Sequence, residues 1–153
     1  MILVDANVLL RLIQVGHPHQ EPALEAIALL HTRDHEQFAI CPQILYEMYA
    51  VCTRPSNVPN PGFGLTPVAA MQQLEEAERQ FKLEPEPPEL LSCWKRLVVD
   101  NHVTGKSTHD ARLVALMFER NIPRLLTFND AHFARFSEVK ALNPFDVLGI
   151  VRV

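Results

Sequence analysis

Short apolar runs alternate along this chain with stretches whose apolar residues recur at helical spacing. Ile2-Leu3-Val4 is rich in β-branched residues and ends on an acid, which predicts a buried parallel strand. Over residues 7–14 the apolar positions return every three or four residues, predicting a helix capped by Asp5 or Asn7. The same period runs through Leu24, Ile27, Ala28 and Leu30, in a helix over residues 21–31. Phe38-Ala39-Ile40 predicts a second strand, and Pro42 suits the first turn of a helix reaching about Cys52. Residues 54–65 hold three prolines and two glycines and read as a loop. Thr66 and Pro67 then open a helix to about Phe81, and Pro85, Pro87 and Pro88 interrupt the chain again. Further helices are predicted over 89–101 and 107–120, a third strand over 124–127 and a fourth over 139–142. Strands separated by helices imply an α/β fold, a three-layer α/β/α sandwich around a mostly parallel central sheet. No repeat or composition break divides it, so residues 1–153 are expected to form one domain.

Composition narrows the function classes. Residues are 48% apolar and 21% charged, too apolar for a disordered chain. No apolar run approaches the roughly 18 residues a membrane-spanning helix needs, and no basic segment precedes Met1–Val4, so a soluble protein without a secretory signal is expected. Cys41, Cys52 and Cys93 are odd in number and lack a C-x-x-C pair; they read as reduced core residues of a cytoplasmic protein. Eighteen acids against fourteen basic residues give a net charge of −4. A simple electrostatic clamp on nucleic acid would be basic, so bulk charge does not bring this protein to one.

The candidate chemistry lies in acids and amides placed near strand ends, where open α/β sheets build their sites. Asp5 follows the first strand, and Asn129 and Asp130 follow Leu125-Leu126-Thr127. Each also has a structural reading: Asp5 as a helix cap, Asn129 and Asp130 as turn residues. Glu47, about 40° around its helix from Val51, is expected at the edge of the buried face, where a lone carboxylate is costly unless paired or metal-bound. Asp110 precedes an apolar stripe through Leu113, Val114 and Met117, although Ser107-x-x-Asp110 also resembles a capping box. One such acid is usually structural. Several that converge favour a divalent-metal cluster, because Mg²⁺ takes oxygen ligands and needs only a few carboxylates.

MILVDANVLLRL at the start, the helix bearing Glu47, the STHDARLVALM segment and LLTFNDAHFARF resemble, in that order, the PIN-domain ribonucleases, and among them the VapC-type toxins of bacterial toxin–antitoxin pairs. The resemblance implies a metal-dependent endoribonuclease that cleaves RNA, with Asp5, Glu47 and Asp110 holding Mg²⁺ or Mn²⁺. Asn7 and Thr127 would support them through hydrogen bonds. The family's fourth polar position, often Asp, falls on Asn129, one negative charge fewer, with Asp130 beside it as the alternative. A cognate antitoxin, an RNA substrate and a homodimer are the implied partners, with no membrane. Arg11, Lys106 and Arg112 are basic residues near this proposed site, each readable as solvated surface.

Other signals fall away. Gly105-Lys106-Ser107 lacks the glycine that a phosphate-binding loop needs at position 100, which is Asp100. His31 and His35 stand four apart, but Thr32 sits where a zinc protease needs Glu, and His17, His19, His102 and His109 form no ligand-spaced set. Trp94, among Leu90, Leu91, Leu97 and Val98, reads as core or interface. Two rival functions stay open at this point. A haloacid-dehalogenase-like phosphatase would use Asp5 as nucleophile but needs an acid where Asn7 stands. A catalytically inactive PIN-like domain would only bind a partner.

Overall fold

A computed structural model describes residues 1–153. Five short strands, β1 (Ile2–Val4), β2 (Phe38–Ile40), β3 (Lys82–Leu83), β4 (Arg124–Leu126) and β5 (Lys140–Leu142), form one sheet in the order β3-β2-β1-β4-β5. Every pairing is parallel, with Ile2 opposite both Phe38 and Arg124. The chain therefore begins in the middle of the sheet, moves outward through β2 and β3, then crosses back to β4 on the other side of β1. The order reverses between β1 and β4. Ligand crevices of open parallel sheets form at such a reversal, beyond the carboxyl ends of the strands.

The helices are α1 (Ala6–Ile13), α2 (Gln20–Asp34), α3 (Pro42–Thr53), α4 (Pro67–Gln80), α5 (Leu90–Asp100), α6 (Ser107–Glu119) and α7 (Pro144–Leu148). Successive contacts join α1 to α2 and α3, α3 to α4, and α5 to α6. Right-handed crossovers running in opposite directions along the sheet put α1–α4 and α5–α6 on opposite faces. β1 is buried on both sides, as a central parallel strand must be, and one apolar cluster runs through β1, β2, β4, α1, α3 and α6. Cys41, Cys52 and Cys93 are free and buried in it; burial holds all three thiols above their ordinary pKa, Cys41 at about 11.

The proline-rich loop over residues 54–65 folds back onto the end of α3. Phe63 N–H donates to the Val51 carbonyl (3.0 Å), Leu65 N–H to Cys52 (2.9 Å) and Gly64 N–H to Arg54 (2.9 Å), satisfying carbonyls that the helix end leaves free. Gly62 lies so close that a Cβ there would sit 2.2 Å from the Val51 oxygen.

Several sequence expectations shift. α1 begins at Ala6, because Asp5 rather than Asn7 is its cap. α2 extends to Asp34, with His35 in the left-handed region ending it. The third strand stops at Leu126, before Thr127. β3 and α7 escape the pattern: both β3 side chains are exposed, and α7 has only five residues. Trp94 is half-buried and donates through Nε1 to the Thr108 carbonyl, joining α5 to α6.

Candidate active site

Asp5 lies directly after β1 and is 7% exposed. Its Oδ1 accepts from Ala6 N–H (2.7 Å), so it caps α1; its Oδ2 accepts from Thr127 Oγ1 (2.7 Å) and Asn7 Nδ2 (2.8 Å). One oxygen thus caps α1, and the other belongs to the hydrogen-bonded lattice beyond β1 and β4. Thr127, fully buried just beyond β4, also accepts from Asn7 Nδ2 (3.0 Å) and from Asn129 N–H (3.0 Å). Asn7 Oδ1 accepts from Phe128 N–H (3.0 Å). This lattice ties the ends of β1 and β4 together where the strand order reverses.

A cleft of about 200 Å³ opens at this point, lined by Asp5, Asn7, Glu47, Asp110, Asn129 and His132 among others. Glu47 arrives from α3 and Asp110 from α6. Glu47 is exposed, not at the edge of the buried face as its spacing suggests: the buried stripe of α3 is Ile44, Leu45, Met48 and Cys52, with Val51 only half-buried. Asp110 forms no capping box, since Lys106 occupies the α6 cap position without a side-chain cap bond. Both acids face the cleft instead. Asn129 lines it too, whereas Asp130 Oδ1 accepts from Asn143 Nδ2 (2.8 Å) and both Asp130 oxygens accept from the Arg152 guanidinium (3.0 Å each).

Two further residues at the cleft, Gln43 and His132, are not marked out in the sequence reading above. Gln43, buried one turn before Glu47, donates from Nε2 to Glu47 Oε1 (3.0 Å) and to the His109 carbonyl (3.0 Å), and accepts from Arg112 (2.8 Å). It fixes α3 against α6 and orients Glu47. Its i, i+4 spacing from Glu47 was the available signal. Arg112 is thereby engaged, with Glu86 as its second partner, and Arg11 donates to Gln14. His132 Nδ1 stands 3.9 Å from Asp110 Oδ2.

The electrostatics are unbalanced. Desolvation pushes the Asp5 carboxyl up to about 6; the Thr127 and Ala6 hydrogen bonds oppose this, and repulsion from Glu47 and Asp110 adds to it. Asp110 is also raised, chiefly by burial, with His132, His109 and Arg135 pulling the other way. Asp130 is lowered: burial raises it, but Asn143 and Arg152 together outweigh that. No three acids or histidines converge as a closed ligand set. The donors nevertheless suit a hard divalent cation. They are carboxylate oxygens plus an amide oxygen, and Asp5 is a buried, oriented carboxylate with no cationic side chain bonded to it.

Thr127→Val keeps the shape and removes the hydroxyl that serves Asp5, Asn7 and Asn129. Differential scanning fluorimetry is expected to show a loss of stability on the order of 1–3 kcal/mol, with the Asp5 pKa moving further up. A variant as stable as the parent would mean that the hydroxyl lattice is not what holds β1 to β4.

The family model described as the PIN domain matches residues 2–139. Among curated proteins, no sequence relative matches. Solved structures with the same fold include VapBC2 from Rickettsia felis bound to a promoter DNA fragment, 14% identical with a TM-score of 0.68, covering 94% of this chain and 98% of that one. VapBC-1 from nontypeable Haemophilus influenzae is 13% identical with a TM-score of 0.68 and the same coverage. VapC20 from Mycobacterium tuberculosis, described as a sarcin-ricin loop cleaving toxin, is 17% identical with a TM-score of 0.61, covering 89% of this chain and 95% of that one.

Proposed function

The chain belongs to the PIN-domain family, and on that premise we propose that it is a divalent-metal-dependent endoribonuclease, the toxin of a toxin–antitoxin pair. The observation that carries this reading is the cleft at the β1–β4 reversal, where Asp5, Glu47, Asp110 and Asn129 meet from four segments remote in sequence. Asp5, Glu47 and Asp110 would hold Mg²⁺ or Mn²⁺. Such an ion supplies positive charge opposite the phosphate in the transition state and acidifies water for attack. The chain's own groups prepare the site. Thr127 and Asn7 fix the Asp5 rotamer, and Gln43 holds Glu47 toward the cleft. Asn129 contributes an amide oxygen without charge, and Asp130, bound to Arg152 and Asn143, is left outside.

Supporting the toxin assignment, two of the solved structures of like fold are of VapBC and a third is described as a sarcin-ricin loop cleaving toxin. The implied partners are RNA, a cognate antitoxin and a second copy of the chain. No helix is long and apolar enough to cross a membrane. The phosphatase alternative loses its footing, because the residue two beyond Asp5 is the amide Asn7, which donates to Asp5 where that reading needs an acid.

The test is cleavage of labelled RNA by the purified protein in millimolar Mn²⁺ or Mg²⁺, stopped by EDTA and absent from Asp110→Asn. Expression in bacteria should arrest growth, and the Asp110→Asn variant should not. Cleavage that survives EDTA overturns the metal-dependent reading. Cleavage without growth arrest removes the toxin assignment and leaves the nuclease.

A further inference from the structure

A polyanion must approach a chain of net charge −4 whose cleft is acidic, so the disposition of its unengaged cations matters. Most of its basic side chains are occupied. Arg11, Arg54 and Arg120 donate to amide or carbonyl oxygens, and Arg33, Arg79, Lys82, Arg112, Arg124 and Arg152 pair with acids. Arg96 contacts Cys93 and lies over the Phe118 ring. Lys95, Lys106, Arg135 and Lys140 are left without a hydrogen-bond or ion-pair partner. Of these four, Arg135 is the one on the turn that borders the cleft: it stands three residues after His132 in a run of bonds from Ala134 N–H to Ala131 and from Phe136 N–H to Phe133, with Phe133 and Phe136 buried, so His132 and Arg135 share the outward face. It is exposed and follows the short 3-10 helix Asp130–Phe133 by two residues. His132 on that helix lines the cleft, and exposed His109 adjoins Asp110 on α6. Two of these three rings and forks carry no bond within the protein, and the third, His132, has only its 3.9 Å approach to Asp110.

We propose that Arg135, with His132 and His109, forms a docking rim for the sugar–phosphate backbone of the RNA strand, seating phosphates next to the one cleaved at the acidic cleft. The proposal rests on the endoribonuclease reading and adds the surface that recognises the substrate. The guanidinium fork matches two phosphate oxygens at once, and an unpartnered Arg sacrifices no internal bond when it binds one. The His132 imidazole adds an N–H donor in the cleft lining, and His109 offers a second on the residue before Asp110. The carboxylates and the rim thus divide the work: the acids act at one phosphate, and the rim attracts its neighbours.

The experiment measures binding of a fluorescein-labelled single-stranded RNA by anisotropy in EDTA, across a series of KCl concentrations, alongside Mn²⁺-dependent cleavage. Each phosphate neutralised on a single strand contributes about 0.7 to the slope of log K against log salt. Arg135→Ala should weaken binding severalfold at low salt and flatten that slope by about 0.7, with an unchanged melting temperature. Arg135→Lys should keep the slope and recover part of the affinity, since charge remains but the fork is lost. Combining His109→Ala and His132→Ala with Arg135→Ala should weaken binding further. Lys140→Ala is the control: it is equally exposed and unpaired but begins β5, at the opposite end of the sheet. Arg135→Ala binding RNA with the parent's affinity and slope overturns the rim, even if that variant associates less well with a protein partner. Lys140→Ala reproducing the Arg135→Ala change also overturns it, because net charge alone would then explain the effect. If the parent cleaves RNA while either result is obtained, the endoribonuclease reading stands without the rim. A parent that neither binds nor cleaves RNA removes both.

Discussion

Asp5→Asn is expected to reduce RNA cleavage roughly a thousandfold or more, yet to raise the melting temperature of the EDTA-treated protein. The loss follows from removing the one buried charge at the centre of the proposed ion site. The gain follows from what that charge costs when no cation is present. Desolvation, with repulsion from Glu47 and Asp110, lifts the Asp5 pKa from 3.8 to about 6. An acid whose folded-state pKa is raised binds more protons folded than unfolded between those two values. Stability therefore falls as pH rises through that window, and the full penalty applies above about pH 6. The shift corresponds to about 3 kcal/mol. Asn forfeits part of this, because its single oxygen cannot accept from Ala6, Thr127 and Asn7 together, which leaves a net gain of about 1–2 kcal/mol. For a chain of this size that is a rise of roughly 3–6 °C at pH 7.5. The variant should also lose the Asp5 share of the decline expected of the parent between pH 4 and 6, leaving only the part due to Asp110. Adding Mn²⁺ should reverse the order, since only the parent gains by binding it. An Asp5→Asn protein that melts below the parent in EDTA at pH 7.5 would show that the carboxylate stabilises the fold and is not held there for an ion.

Gly62→Val is expected to cost about 2–4 kcal/mol, a drop of roughly 10 °C, although the residue lies in a surface loop. Any Cβ at this position meets backbone: the Val51 oxygen at 2.2 Å, and the Arg54 Cβ and oxygen at 2.5 and 2.6 Å. No rotamer relieves that. The loop must lift, breaking the bonds from Phe63, Gly64 and Leu65 that finish α3. Val51, which lines the cleft, lies on the freed turn, so cleavage should slow as well. Pro59→Ala, exposed in the same loop, should melt within about 1 °C of the parent, as surface substitutions usually do. Thermal denaturation of the two variants decides the matter, and a Gly62→Val protein that melts with the parent would mean the loop does not hold α3.

Much of the fold was legible because its central strands are short, apolar and buried on both faces, a pattern that differs sharply from the helices between them. β3 was not, because an edge strand of two exposed residues is defined by its partner: Glu84 N–H donates to the Ile40 carbonyl, and no sequence period records that. α7 left only Asn143 before Pro144 as a cue, a cap followed by a first-turn proline. Asp5, Glu47 and Asp110, which the structure brings to one cleft, were singled out from sequence by arguments of unequal worth. Asp5 stood at a strand end, where the architecture itself puts sites. Glu47 was reached through an inference of partial burial that the structure corrects. The neighbouring positions 129 and 130 could not be told apart by sequence, since both follow β4. The Arg152 fork, 22 residues beyond Asp130, is what separates them, and a contact at that distance has no local signature. His132 was missed for the same reason, as its approach to Asp110 exists only once the 3-10 helix and α6 are packed together; Gln43 had a local cue in its i, i+4 spacing from Glu47, but its bonds to His109 and Arg112 form only once α3 meets α6.

The three buried thiols turn this architecture into its own clock. A thiol reagent attacks the thiolate, and Cys41, Cys52 and Cys93 are both shielded and held protonated. Modification must therefore wait for the chain to open around each sulfur, and its rate reads the free energy of that opening. Cys41 and Cys52 bracket α3 while Cys93 lies on α5 across the sheet. If the wall carrying Glu47 detaches before the core melts, Cys52 will be labelled ahead of Cys93; if the molecule opens as one unit, the three will react together. A single mass-spectrometric time course thus distinguishes a cleft with a hinged wall from one that exists only in the fully folded chain.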